Sequence, residues 1–242
     1  MPATKSRYDG HADWYDGWNQ PHIEANIPEI LDLLGDAGQA PKQGPNQGPG
    51  PSAGICLDLG CGTGLYFDAL TASGRTVVGL DRSTDQLRIA QRRSRQIMQG
   101  DAAALPFADG TFAAVTTLWI STDVDDYPAV QREAARVLTP GGILVYYGVH
   151  PCFNGPHSQI LDDGGITAHP FYRHGGWHDE AKPWWGPYVR KRVGMRHHPL
   201  AELLNGFIAA ELTIERVVEC GANPVPTILG IRARKPGRYG LR

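Results

Sequence analysis

Between residues 55 and 64 an apolar run carrying one acid, Asp58, gives way to three alternating glycines, Gly60, Gly62 and Gly64, with Cys61 and Thr63 between them. Glycines at alternate positions strip a loop of side chains. Its backbone can then turn tightly and approach a ligand closely. Asp58 is a costly residue for a buried strand unless it is hydrogen-bonded. Beneath the loop it is expected to accept bonds from the loop N–H groups. Asp81 follows about 20 residues after Gly60 and ends a second apolar run, the spacing at which a carboxylate holds the hydroxyls of a ribose. Asp101 stands in Gly100-Asp101-Ala102 after a third short run. It brings a second acid to the same edge.

A strand, a glycine turn and a helix are needed to position these groups. The runs at 55–59, 76–80, 96–99, 112–118 and 143–149 read as strands. Periodic apolar residues predict helices at 65–72, 84–95 and 127–138. Ser83 or Thr84 is the expected N-cap of the second of these. Residues 139–142, Thr-Pro-Gly-Gly, read as a turn. Two last strands are expected at 212–220 and 227–233. Alternating strands and helices imply a parallel, doubly wound sheet. Ligands of such a sheet bind beyond the carboxyl ends of the strands. That rule selects residues 60–64, Asp81 and Arg82, Asp101 and Ala102, Trp119 to Asp123, and His150 to Cys152.

The motif series is specific. Leu57-Asp58-Leu59-Gly60-Cys61-Gly62-Thr63-Gly64, Leu80-Asp81, 100–107 (Gly-Asp-Ala-Ala-Ala-Leu-Pro-Phe) and Leu138-Thr139-Pro140-Gly141-Gly142 strongly resemble the class I S-adenosylmethionine (SAM) methyltransferases, in particular the small-molecule branch called type 11. The resemblance covers roughly residues 54–150 and, more loosely, the rest. Its loop is G-x-G-x-G rather than the longer pattern of dinucleotide sites, and SAM has no pyrophosphate to cradle. The resemblance implies a Rossmann-like, doubly wound, mostly parallel seven-stranded sheet with the last strand antiparallel, an N-terminal helical lid and an insertion after strand five. It implies SAM as cofactor and S-adenosylhomocysteine (SAH) as its product. Asp58, Gly60, Cys61, Gly62, Gly64, Asp81, Arg82, Asp101, Ala102, Leu118 and Trp119 would surround it. Arg82 departs from the apolar residue usual after the acid. Related enzymes also carry a Tyr-Asp-x-x-Ala-x-x-Tyr-Asp lid, matched by residues 8–16. Tyr8 and Tyr15 would then close over the sulfonium, a cation that aromatic faces attract.

The expected organisation is a helical lid at 1–36, a flexible Pro/Gly linker at 37–54, and a SAM-binding domain at 55–242 whose substrate lid is 150–198. A helix is expected at 23–34, with Pro28 as a kink, and another at 199–210. Residues 150–198 hold seven of the nine histidines, together with Phe153, Trp177, Trp184 and Trp185. Aromatic residues at a pocket mouth predict an aromatic or apolar small-molecule acceptor. His150, His157 and His198 are the candidate general bases, with Tyr15 beside the methyl group. Trp14, Thr122, Phe153, Trp185 and His197 are the candidate acceptor contacts. His174 and His178 have a ligand-like spacing, but two glycines lie between them and no metal is expected. The basic run Arg190-Lys191-Arg192 reads as a solvated face or as a grip for a substrate carboxylate.

A net charge of −2 gives no bulk attraction to nucleic acid or membrane. The 41% hydrophobic content supports a packed core. Four scattered cysteines lack metal or redox spacing. A reduced cytoplasmic protein, monomeric or homodimeric, is the expectation. The reading leaves three competitors: a methyltransferase acting on protein or RNA, a SAM-binding fold doing non-methylating chemistry, and a non-catalytic SAM-binding partner subunit, against which the intact cofactor motifs argue.

Overall fold

The computed structural model describes residues 6–37, 54–180, 182–185 and 189–237. The expected 37–54 linker therefore lies almost wholly outside the described residues. So does Tyr188.

Seven strands make the central sheet. In chain order they are β1 (Ile55–Leu59), β2 (Thr76–Asp81), β3 (Ile97–Gln99), β4 (Phe112–Leu118) and β5 (Leu138–Val149), and after the small strands β6 to β9 described below come β10 (Thr213–Cys220) and β11 (Ile228–Arg234). Their spatial order is β10-β11-β5-β4-β1-β2-β3. β11 runs antiparallel to both neighbours, and the pairs among β1 to β5 are parallel. The chain winds outward from β1 through β2 to β3, then crosses back to β4. The switch point lies between β1 and β4, where such sheets open a crevice.

Alternation along the strands sends side chains to two cores. Leu57, Leu59, Leu144 and Tyr146 face helices α5 (Tyr127–Val137) and α7 (Leu200–Ala209), through Tyr127, Val130, Leu203 and Phe207. Cys56, Ile143, Val145 and Tyr147 face α2 (Ile27–Leu34), α3 (Phe67–Ala72) and α4 (Thr84–Ala90), through Ile30, Leu33, Leu70 and Leu87. Both faces of the central strands are thus buried, as a doubly wound sheet requires.

Local sequence explains where elements differ from expectation. Pro28 does not kink a helix. It sits in the first turn of α2, where its missing N–H is not needed. Ser83 is the N-cap of α4, its Oγ accepting from Gln86 N at 3.1 Å. That helix ends at Ala90 rather than near 95. Residues 139–142 do not end a connection before the strand. β5 already begins at Leu138, and the register against β4 shifts between Phe112 and Ala114 to absorb the extra residues. Gly141 and Gly142 exchange backbone bonds with Lys235, both at 2.9 Å, so the ladder continues past the bulge.

The insertion between β5 and α7 contains two small hairpins and a turn of helix. β6 (Ser158–Ile160) pairs with β7 (Ile166–Ala168), and β8 (Gly176–His178) pairs with β9 (Met195–His197). α6 (Arg190–Val193) lies between β8 and β9. At the other end of the chain, α1 (Ala12–Asn19) is fastened to α4. Asp85 accepts from Gly10 N and Ala12 N, and Ser83 Oγ meets Asp9 Oδ1 at 2.6 Å. Arg93 grips both oxygens of Asp16 and also reaches Thr63 O. No helix among the described residues is long and apolar enough to cross a membrane.

Candidate functional site

A cavity of about 520 Å³ opens at the switch point. That lies inside the roughly 300–1,000 Å³ typical of small-ligand sites. Its floor is the glycine loop, with Gly60 and Gly62, and the ends of β2 and β4, with Asp81, Leu118 and Trp119. Arg82, Asp101 and Ala102 form one wall, and Tyr8 and Tyr15 come down from the N-terminal segment. Ten of the expected site residues therefore converge on one space.

The floor is held by a hydrogen-bond arrangement the sequence reading placed differently. Gly60 N and Cys61 N donate to Leu80 O at 2.7 and 3.1 Å, and Gly62 N donates to Asp81 Oδ2 at 2.8 Å. Asp81 Oδ1 accepts from Ser83 N at 2.8 Å. The loop N–H groups are thus taken by the end of β2 rather than by Asp58. Asp58 instead accepts from Thr116 Oγ1 at 2.8 Å, across the β1–β4 pair, and does not line the cavity. Cys61 and Gly64 also turn away. A side chain at Gly64 would collide with Phe67, at 2.6 Å, and the residue's φ of +78° suits only glycine.

Burial decides the ionisation of the two acids. Asp58 is pushed up to about 7, chiefly by burial, against the Thr116 bond and aided by the charge of Asp81. A carboxyl raised in the folded state favours folding at low pH. That contribution is complete below about 4 and is lost as pH rises through about 7. Asp58→Asn keeps the bond to Thr116 without a charge. It is expected to raise stability at pH 8 by on the order of 2–4 kcal/mol and to change little below pH 4. Denaturant unfolding at both pH values checks this, and a variant less stable at pH 8 contradicts it.

The roof is more charged than the sequence suggested. Tyr8 Oη donates to Asp123 Oδ1 at 3.2 Å, and Arg190 donates to the same carboxylate at 2.6 Å and to Thr122 Oγ1 at 2.6 Å. Tyr8 and Tyr15 meet edge to face, with ring centroids 5.3 Å apart. Burial, reinforced by the charge of Asp123, holds both phenols well above their ordinary range. Each is a neutral hydroxyl at physiological pH, which suits an aromatic contact better than a base. Trp177 of β8 completes the mouth. Its indole N–H donates to Asp125 and Arg7 lies over its ring at 4.0 Å, so the N-terminal segment, the loop after β4 and the insertion meet there.

The four histidines singled out in the insertion do not reach this cavity. His150, expected at the pocket because strand five points there, is 3% exposed and bonds Glu219 on β10 at 2.8 Å. Its Nδ1 accepts from Cys152 N, so the proton is on Nε2. His157 is fully buried, bonded to Cys152 O at 3.0 Å. Burial pushes it down. His197 is pushed down to about 4 by burial and bonds Tyr172 O at 2.8 Å. His198 Nδ1 meets Glu202 Oε1 at 2.8 Å. These rings pack the insertion onto the sheet. Phe153 packs on His150 at 4.6 Å, and Trp185 is 8% exposed. Trp14 stacks on Trp18 outside the cavity, under Arg192. Thr122 contributes through Arg190. His178 Nε2 meets His174 O at 3.3 Å, and no group of three or more His, Cys, Asp or Glu among the described residues is placed to hold a metal.

Arg190 belonged to a basic run read as a solvated face or as a grip for a substrate carboxylate, yet its side chain is only 17% exposed and pairs with Asp123 at the cavity wall. Periodicity signals a buried apolar stripe and is blind to a buried ion pair. Arg7, Gln86, Asp125 and Asp126 line the cavity without any motif to mark them.

Residues 57–146 match a family model described as a methyltransferase domain. A demethylmenaquinone methyltransferase of Renibacterium salmoninarum is 38% identical over 117 residues, covering 47% of this chain and 49% of that protein. A 2-phytyl-1,4-naphtoquinone methyltransferase of Thermosynechococcus vestitus is 42% identical over 101 residues, 38% of this chain and 44% of that protein. The chain thus spans about half or less of the length of the curated relatives it matches. Among solved structures, an S-adenosylmethionine dependent methyltransferase from Mesorhizobium loti superposes with a TM-score of 0.66 at 22% identity, over 86% of this chain and 96% of that one. At that identity the likeness is one of fold.

Proposed function

We propose that the protein, whose residues 57–146 match a family model described as a methyltransferase domain, transfers a methyl group from SAM to a small aromatic or heteroaromatic acceptor, a quinone-like ring being the leading class. SAM supplies a methyl group on a sulfonium, which a nucleophilic O, N or C of the acceptor displaces to leave the thioether SAH.

One observation carries the reading. A single cavity brings together bare glycine backbone, an Asp81 carboxylate and two neutral tyrosine faces. Each suits a different part of SAM. Asp81 gives one lone pair per oxygen to Gly62 N and Ser83 N and keeps others for hydroxyl donors. Asp101 and Ala102 line the side where an adenine would lie. Tyr8 and Tyr15 offer aromatic faces to a sulfonium without competing for its methyl, since both remain protonated. The acceptor would enter beneath Trp177, in the part of the cavity bounded by Arg7, Val124 and Asp125.

No histidine lines that space, so the chemistry rests on alignment and water exclusion rather than on a strong base. Holding an acceptor in line with the breaking bond removes much of the entropic barrier. The quinone names of the relatives favour a ring acceptor, and the aromatic mouth suits one.

SAH is expected to raise the melting temperature, because a ligand bound only to the native state stabilises it by about 2.7 kcal/mol at a hundredfold excess over Kd. A screen of reduced quinones and other hydroxylated aromatics with SAM, scored by the mass gain of one methyl, then tests the acceptor class. Binding without methylation of any ring acceptor would remove the aromatic reading and leave the cofactor reading standing.

A further inference from the structure

At the mouth of the cavity the guanidinium carbon of Arg7 stands 4.0 Å over the indole ring of Trp177, and both residues line the cavity. The indole is fixed in turn, because its N–H donates to Asp125. Arg7 is exposed, and beyond this ring contact it has no hydrogen bond or ion pair among the described residues. A guanidinium over a ring is held there through its charge. The N–H groups whose fork matches an anionic oxygen stay unused.

The acids at this end of the cavity are differently placed. Asp123 holds Arg190 at 2.6 Å and Tyr8 at 3.2 Å. Asp125 is turned to the indole N–H. Asp126 accepts from Ala129 N at 2.8 Å, as the cap of α5, and lies 3.8 Å from Arg132. Two guanidinium groups line the cavity, Arg7 and Arg82, and Arg82 follows Asp81 on the wall of Asp101, the cofactor side. Among the described residues, Arg7 is therefore the cation at the acceptor end that no carboxylate engages. An amine acceptor would meet this cation and find the nearby acids already bonded. A planar ring that carries an anionic oxygen is served by both residues at once, its face by Trp177 and its charge by Arg7.

We propose that Arg7 and Trp177 are the specificity-determining residues for the acceptor, and that the acceptor is a planar aromatic anion, its ring laid against Trp177 and its carboxylate or phenolate oxygen held by Arg7. The inference rests on the aromatic acceptor proposed above and narrows it to rings bearing an acidic oxygen.

The test titrates the SAH complex calorimetrically with 2-naphthoate and with 2-naphthamide, which share ring and shape and differ by one charge. Wild type is expected to bind the naphthoate about five- to tenfold more tightly at low ionic strength, as suits a charge pair open to solvent. The preference shrinks at about 1 M salt. Arg7→Gln removes the preference and binds the naphthamide as wild type does, whereas Arg7→Lys keeps part of it, having the charge without the fork. Trp177→Leu weakens both probes about fivefold, and Trp177→Phe, which keeps an aromatic face, recovers most of that loss. Equal affinity of wild type for the two probes overturns the anionic acceptor. A preference that survives Arg7→Gln overturns the role of Arg7, and unchanged binding in Trp177→Leu overturns the stacking. An SAH complex that binds neither probe overturns the subsite. SAH affinity is measured on every variant, and a loss in Arg7→Gln assigns the guanidinium to the cofactor instead. Methylation of neutral rings alone in the screen above defeats this inference and leaves the aromatic reading standing. Wild-type protein that binds no SAH defeats the cofactor reading itself.

Discussion

Replacing Asp81 by alanine weakens SAH binding by about 10- to 150-fold, the equivalent of one hydrogen-bonding interaction with a charged acceptor. Two losses combine in this expectation. The acceptor for the hydroxyls disappears, and Gly62 N and Ser83 N, each held at 2.8 Å, lose the carboxylate that shapes the loop. Asp81→Asn separates them, because it retains one acceptor oxygen while turning an amide N–H toward the other backbone donor. Calorimetry on the three proteins gives the result directly, and an unchanged Kd in Asp81→Ala ends the ribose assignment. The same carboxyl predicts a pH dependence. Burial, opposed by the Ser83 and Gly62 N–H bonds, leaves it raised to about 6. Its protonated form loses acceptor capacity. Affinity for SAH therefore rises with pH through about 6 in the wild type, and this step is absent from Asp81→Ala.

Arg190→Ala costs about 3–5 kcal/mol of stability, a drop in melting temperature on the order of 10 °C, because it strands a carboxylate in a partly buried site. Asp123 is 20% exposed at its side chain, and its Oδ1 receives both Arg190 at 2.6 Å and Tyr8 at 3.2 Å. Removing the guanidinium leaves only neutral hydroxyls, Tyr8 at 3.2 Å and Thr122 at 3.4 Å, to compensate a whole charge. The N-terminal segment should loosen with it, since Tyr8 hangs on the same oxygen. Arg190→Ala combined with Asp123→Asn supplies the control. The double variant recovers much of the loss if the stranded charge is the cause. A single variant as stable as the wild type would show that the pair behaves like an exposed surface ion pair, for which about 0–1 kcal/mol is usual.

These expectations draw unequally on what the chain discloses residue by residue. The glycine loop, Asp81 and Asp101 were legible because each is a local constraint. A φ of +70° at Gly60 and +55° at Gly62 excludes most side chains there, and a carboxylate at a strand end stands out against an apolar run. The helix ends were less legible. Pro28 was expected as a kink inside a helix at 23–34, and the structure places it at the first turn of α2. The bulge at 139–142 was hidden for the same reason. Thr-Pro-Gly-Gly has the composition of a turn, and only pairing with Lys235 keeps it within the ladder.

The histidines were the largest miss. Seven in one insertion look like chemistry when counted along the chain. Their role depends on which way each ring points, and that is set by partners far away in sequence: Glu219 for His150, Tyr172 for His197. Conversely, Arg190 read as solvated or as a grip for a substrate carboxylate, and folding laid it beside the chain's own Asp123, 67 residues away.

The sequence by itself thus determined the individual strands, the glycine loop and the carboxylate beside it, because those depend on backbone conformation and spacing within about 30 residues. Only the tertiary structure decided which polar groups share the cavity. Asp58 turned from the loop to Thr116, and Gln86 was left with a bare amide beside Gly62. The roof came from three separate segments, with Arg7 and Trp177 meeting over Asp125. Such juxtapositions arise from the packing of distant elements, and no local spacing encodes them.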